Sequence, residues 1–181
     1  MKISKRAALG VAAVAAAAFT VPAVAAPGHP AGGSNTTACA DGTVTWSPTT
    51  LWPPNHKMQT VSISYVAPAD NPGDTTTITV GTISDDQSAA DGSGELNGSG
   101  NPNEGLDWGG SGNHATSPEG SPADTTATVR AERSGTDKTG RTYSINVMCT
   151  EQDGTTMMAD PNGSGMATLT VTVPHDQGHR S

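Results

Sequence analysis

Aromatic side chains are almost missing from this chain. Phe, Trp and Tyr together make 3% of its 181 residues, and the single Phe, Phe19, falls in the leader described below. Any folded core must therefore be small. Basic residues are also scarce, nine Lys and Arg against 17 Asp and Glu, for a formal charge of −8. An acidic surface repels phosphates, which excludes nucleic acid and anionic lipid headgroups as natural partners. Cations, basic proteins and neutral glycans remain.

Catalytic signatures are missing too. No H-E-x-x-H, G-x-S-x-G or phosphate-binding loop occurs. Clustered acids fall mainly in a Gly-rich stretch that could not hold a general acid and base to the tolerances of chemistry. The chain is read as a non-enzyme with no cofactor and no catalytic or metal residues.

The one apolar run sits at the start. Lys2, Lys5 and Arg6 precede an Ala-rich stretch from Ala7 to Val21, and Pro22 stands before Ala23-Val24-Ala25. A basic n-region, a short apolar h-region and an A-x-A site make a cleavable signal peptide over 1–25. The run is too short for a membrane span, and no later stretch is apolar enough to provide one. Cleavage would leave six basic residues against the 17 acids. The expected localisation is secreted. With neither a wall-sorting motif nor a second module, release is expected rather than display.

Cysteine is limited to Cys39 and Cys149. Neither lies in a C-x-x-C, and an isolated pair in an exported chain reads as one disulfide. It would close a loop of roughly 110 residues, worth about 4–5 kcal/mol on a chain-entropy model.

What the chain does contain is threonine, 25 of them after position 25, set in alternating patterns. Val61, Ile63, Tyr65 and Ala67 share one parity; so do Tyr143, Ile145, Val147 and Cys149, and again Ala167, Leu169, Val171 and Val173. Period two with β-branched residues means half-buried antiparallel strands. The patterns place strands near 42–47, 57–67, 75–83, 125–133, 141–151 and 166–174. Strands with Pro-, Gly- and Asp-rich connections and no helical periodicity predict an all-β sandwich. Cys149 sits on the inward parity, so its bond should join the two sheets.

The predicted organisation is a signal peptide at 1–25, a flexible arm at 26–41, a sandwich at 42–175 and a tail at 176–181. A long acidic loop at 85–123, with nine glycines and no Lys or Arg, interrupts the sandwich.

Four groups of residues invite a functional reading. In Leu51-Trp52-Pro53-Pro54-Asn55-His56-Lys57-Met58 the prolines fix an extended corner. Trp52 is read as a core cap, ahead of the alternative in which Trp52 and His56 form a sugar-stacking platform. Asp85, Asp86, Asp91, Glu95 and Asp107 offer hard oxygen ligands for calcium, but their spacing matches no calcium loop, and a solvated loop is the preferred reading. Arg130 and Glu132 are expected on the solvent side of one strand as a surface ion pair, and the Gly-bearing stretch after them reads as a hairpin turn. His29 near a new N-terminus, and His175 with His179, are weaker metal candidates.

Taken in order, LWPPNHKM, Asp107-Trp108, VRAERSG, GRTYSINVMCT and TVTVPHDQG resemble bacterial extracellular immunoglobulin-like modules of or near the hyalin-repeat type, over roughly residues 44–178. The resemblance implies an immunoglobulin-like antiparallel β-sandwich used as a secreted or cell-surface interaction or adhesion module, with an extracellular protein or glycan as partner. The alternatives are a structural or protective secreted protein without a single ligand, and a secreted hydrolase or hydrolase inhibitor.

Overall fold

The computed structural model describes residues 32–70, 73–87, 107–132, 139–152 and 159–175, with the side chains of 159–162 left aside. The expected signal peptide, most of the expected arm, Asp91, Glu95, residues 133–138, the expected tail and His179 lie outside the described residues.

Among the described residues nine strands follow one another: β1 Asn35–Cys39, β2 Gly42–Ser47, β3 Met58–Val66, β4 Thr75–Asp85, β5 Trp108–Gly109, β6 His114–Pro118, β7 Ala123–Arg130, β8 Arg141–Gln152 and β9 Ala159–Val173. The described residues contain no helix. All strand pairs are antiparallel, in a five-stranded sheet ordered β1-β2-β3-β7-β5 and a four-stranded sheet ordered β6-β4-β8-β9. The alternation seen in the sequence is the burial pattern of the strands. Val61, Ile63 and Tyr65 of β3 face Tyr143, Ile145 and Val147 of β8 across one apolar core, all at 1% exposure or less.

Three expectations need correction. β1 falls inside the stretch read as a flexible arm, and it is an edge strand paired with β2 from Asn35↔Trp46 to Cys39↔Gly42. β5 and β6 fall inside the long acidic loop. They are short edge strands without a buried position, half-buried in β5 and alternately exposed and half-buried in β6, so no apolar alternation announces them. The connection after Glu132 is not a hairpin. β7 belongs to the five-stranded sheet and β8 to the four-stranded one, so the chain changes sheet there. Both strands show the same alternation because each faces the shared core, from opposite sides.

The sheets are fastened along one side. Cys39 and Cys149 form a disulfide with an S–S length of 2.06 Å, joining β1 to β8 and so one sheet to the other. After β2 the chain crosses to the edge of β9. There Thr172 N donates to Thr49 O at 2.9 Å and Leu51 N donates to Thr172 O at 2.8 Å. Trp46, buried at 4% exposure, donates its indole N–H to Thr170 O at 3.0 Å. Edge groups of β9 that would be left open are thus satisfied. At the end of the sandwich where β8 starts, Gly140 takes a φ of 86° and packs against Val173, and a Cβ there would collide with the Val173 carbonyl.

Candidate functional site

Outward-facing residues of β2, β3 and β7 build an open groove on the five-stranded sheet. Strand register aligns Thr45 with Ser64 and Asp124 in one row, and Ser47 with Ser62 and Thr126 in the next. These six polar side chains line a groove of about 410 Å³. Neighbouring strands lie about 4.8 Å apart and same-face residues about 6.8 Å apart along each strand, so the hydroxyls form a grid. Each hydroxyl both donates and accepts, and Asp124 adds an acceptor carboxylate. No Lys or Arg is among the lining residues.

The two ends of the sandwich hold buried polar clusters of a different character. At the first end, Arg141 opens β8 on its core face and is 1% exposed. Its Nη1 donates to Asp107 Oδ2 at 2.6 Å and to the Tyr143 hydroxyl at 2.9 Å, and its Nε donates to Gln87 Oε1 at 2.9 Å. Tyr143 in turn donates to Arg130 O at 2.9 Å. Asp107 takes a second arginine through Oδ1, 2.9 Å from Arg130 Nε. Asp85 Oδ2 lies 3.7 Å from Arg141 Nη1, a charge contact without a hydrogen bond. His56, whose φ is 60°, closes the cluster to solvent through Nδ1, 3.0 Å from Glu132 Oε2.

Burial raises the Asp85 carboxyl to about 6 against the opposing pull of Arg141. Burial raises Glu132 as well, opposed by its hydrogen bond to His56. Three acids face two guanidinium groups here, so the cluster carries one excess negative charge whenever His56 is neutral and all three acids are ionised.

At the opposite end Tyr65 donates to Glu151 Oε1 at 2.8 Å. Burial, with Asp41 next in weight, raises Glu151 to about 7. The Tyr65 hydroxyl is also pushed up, by burial and then by Glu151.

Several candidate residues therefore stand differently from their sequence reading. Arg130 and Glu132 are not a surface pair: the Arg130 side chain is 11% exposed and that of Glu132 is fully buried. β7 ends at Arg130, and Glu132 N turns back to Arg130 O at 2.8 Å, which takes Glu132 out of strand parity and into the protein. Asp85 and Asp107, two of the proposed calcium ligands, point inward to Arg141, while Asp86 accepts from Thr142 N at 2.7 Å. Trp52 is half-buried, and its corner is pinned where Asn55 N and His56 N both donate to Ala131 O, at 2.9 and 3.0 Å. His175 is half-buried beside Gly140. Among the described residues, no three His, Cys, Asp or Glu side chains are grouped to hold a metal ion.

Sequence reasoning missed Arg141 and Glu151, although a signal was present. Both share the odd parity of Tyr143, Ile145, Val147 and Cys149, so β8 carries a charge at each end of its core face. Asp85 was harder to place. A bulge between Val80 and Ile83 switches the inward parity of β4 from even to odd.

No protein-family model matches the chain, and no curated protein matches it.

Proposed function

We propose that the protein is a secreted, non-catalytic immunoglobulin-like interaction module whose groove across β2, β3 and β7 binds a neutral extracellular glycan. The observation that carries this reading is the two-by-three grid of Thr45, Ser64, Asp124, Ser47, Ser62 and Thr126. A polyhydroxylated ligand offers the alternating donors and acceptors that such a grid can pair. The Asp124 carboxylate and the acidic chain disfavour anionic sugars, and the absence of a lining cation leaves nothing to hold them. Trp46 cannot stack on a ligand, since it is spent inside the sandwich, so recognition rests on hydrogen bonds. The non-catalytic reading is supported by the way Asp85, Asp107 and Glu132 face arginines and a histidine of the same chain.

The test is titration of the leader-free protein with neutral oligosaccharides, followed by amide NMR. Expected are shifts confined to Thr45, Ser47, Ser62, Ser64, Asp124 and Thr126, lost in Ser62→Tyr and Thr126→Tyr variants that fill the groove without altering the melt. Binding that persists in both variants, or capture of a protein in place of every neutral glycan, refutes the assignment.

A further inference from the structure

The groove across β2, β3 and β7 has a direction. It spans three strands but only two rows of outward side chains, Thr45, Ser64 and Asp124 in one and Ser47, Ser62 and Thr126 in the other. Two strand spacings make about 9.6 Å, against about 6.8 Å for the single step between rows. The long axis of the groove therefore crosses the strands.

Neither end of the first row is closed by another strand. On one side Thr36 of β1 lies opposite Thr45 and is exposed, so the row continues onto a fourth strand with another hydroxyl. On the other side β5 pairs only with Val129 and Thr128, so among the described residues no strand of this sheet flanks Asp124. The second row ends differently, with Asn113 Nδ2 donating to Thr126 O at 2.8 Å across the edge of β7. The first row, Thr36, Thr45, Ser64 and Asp124, thus offers four polar side chains in line and no wall at either end.

The repeat along this axis is one strand spacing, about 4.8 Å. A pyranose chain joined through equatorial bonds at C1 and C4 is extended, and each ring advances it by nearly that distance. Successive rings of such a chain turn over, so their free vicinal hydroxyls point to opposite edges in turn. Two parallel rows of protein hydroxyls suit that alternation, since each hydroxyl both donates and accepts. Sheet twist rotates neighbouring strands by roughly 20–25°. The glycan spreads this rotation over one glycosidic bond per strand. An axial bond at C1 coils the chain instead and carries successive rings off the rows.

We infer that the groove takes an internal stretch of a linear, neutral β-1,4-linked glycan, laid across the strands with one ring per strand, and that Thr36 supplies a fourth subsite. The inference rests on the glycan reading of the groove and adds the linkage, direction and length of the ligand. An internal stretch is specified because the first row is open at both ends.

The test is calorimetric titration of the leader-free, disulfide-intact protein with cello-, manno- and chito-oligosaccharides of one to six rings. Malto-oligosaccharides are the control, since they share their sugar with the cello series and differ in linkage. In at least one β-1,4 series affinity should climb about 2–10-fold with each ring up to four, as one net hydrogen bond per ring would give. It should then hold at five and six rings. The malto series should bind at least ~10-fold more weakly at four rings, the loss of one or two such bonds. Thr36→Val keeps the side-chain shape and replaces the hydroxyl by a methyl, and its fold is checked by circular dichroism. It should remove the gain from the third ring to the fourth. Four results overturn the inference while leaving a glycan groove: malto-oligosaccharides that bind as tightly, affinity that is level from one ring onward, affinity that falls beyond four rings, or an unaltered fourth step in Thr36→Val. Failure of every series to bind removes the groove reading and this inference together.

Discussion

Arg141 Nη1 and Asp107 Oδ2 meet at 2.6 Å in a place where neither side chain is open to solvent. The contact links the first residue of β8, in one sheet, to the residue before β5, in the other. Two buried charges hold together because each is also hydrogen-bonded elsewhere, Arg141 to Gln87 and Tyr143 and Asp107 to Arg130. Removing Arg141 leaves Asp107 with Arg130 alone and takes away the cation that faces Asp85, which costs more than the pair contributes. Arg141→Met should therefore destabilise the fold by about 3–5 kcal/mol. Arg141→Lys keeps the charge but loses the fork, and its loss should be smaller. Urea unfolding of both variants measures the difference. An Arg141→Met protein as stable as the parent would refute the structural role of the cluster.

The buried carboxyls set the direction of the pH response. Asp85 is raised to about 6 and Glu151 to about 7, both first by burial. A carboxyl whose folded pKa exceeds its unfolded value holds its proton more tightly in the folded state. Its stabilising contribution is complete below the unfolded pKa and is lost as pH rises through the folded one. The melting midpoint should fall between pH 5 and pH 8. General repulsion among surface acids acts in the same direction, so the variants carry the test. Glu151→Gln, which keeps an acceptor for Tyr65, should flatten the part of the profile near pH 7, and Asp85→Asn the part near pH 6. Unchanged slopes in both would remove these residues as the source.

Loss of the Cys39–Cys149 bond should be costly. It spans a sequence separation of 110 residues, and both sulfurs belong to buried residues. The loop-entropy model gives about 5 kcal/mol for a closure of that length. Cys39→Ala/Cys149→Ala should lower the melting midpoint by on the order of 10–20 °C, as should reduction before heating. A scanning calorimeter trace within a few degrees of the parent would contradict this.

How much of the molecule was legible in advance depends on how local each signal is. Whether Ile63 or Ile145 faces inward is settled by its own strand, because side chains alternate every residue. Cys149 could be assigned to the core from the same parity, and with one other cysteine in the chain its partner followed. The edge strands β1, β5 and β6 lacked that signal, since a short strand with at most one buried position has no apolar face to repeat. The groove was hidden for a related reason. Its hydroxyls are ordinary outward residues of three separate strands, and nothing in Thr45, Ser62 or Thr126 alone marks them as neighbours.

The sequence by itself determined the class of fold, the inward rows of β3, β8 and β9 and the single sulfur bridge, all of which follow from short-range periodicity and residue chemistry. Only the tertiary structure decided that β7 and β8 part into different sheets, that Arg141 would be surrounded by Asp85, Asp107 and Tyr143, and that Met148 would face Met166. Those outcomes depend on pairing and register between segments far apart along the chain. Such choices are fixed by the packing of all the strands at once, and no single strand records them.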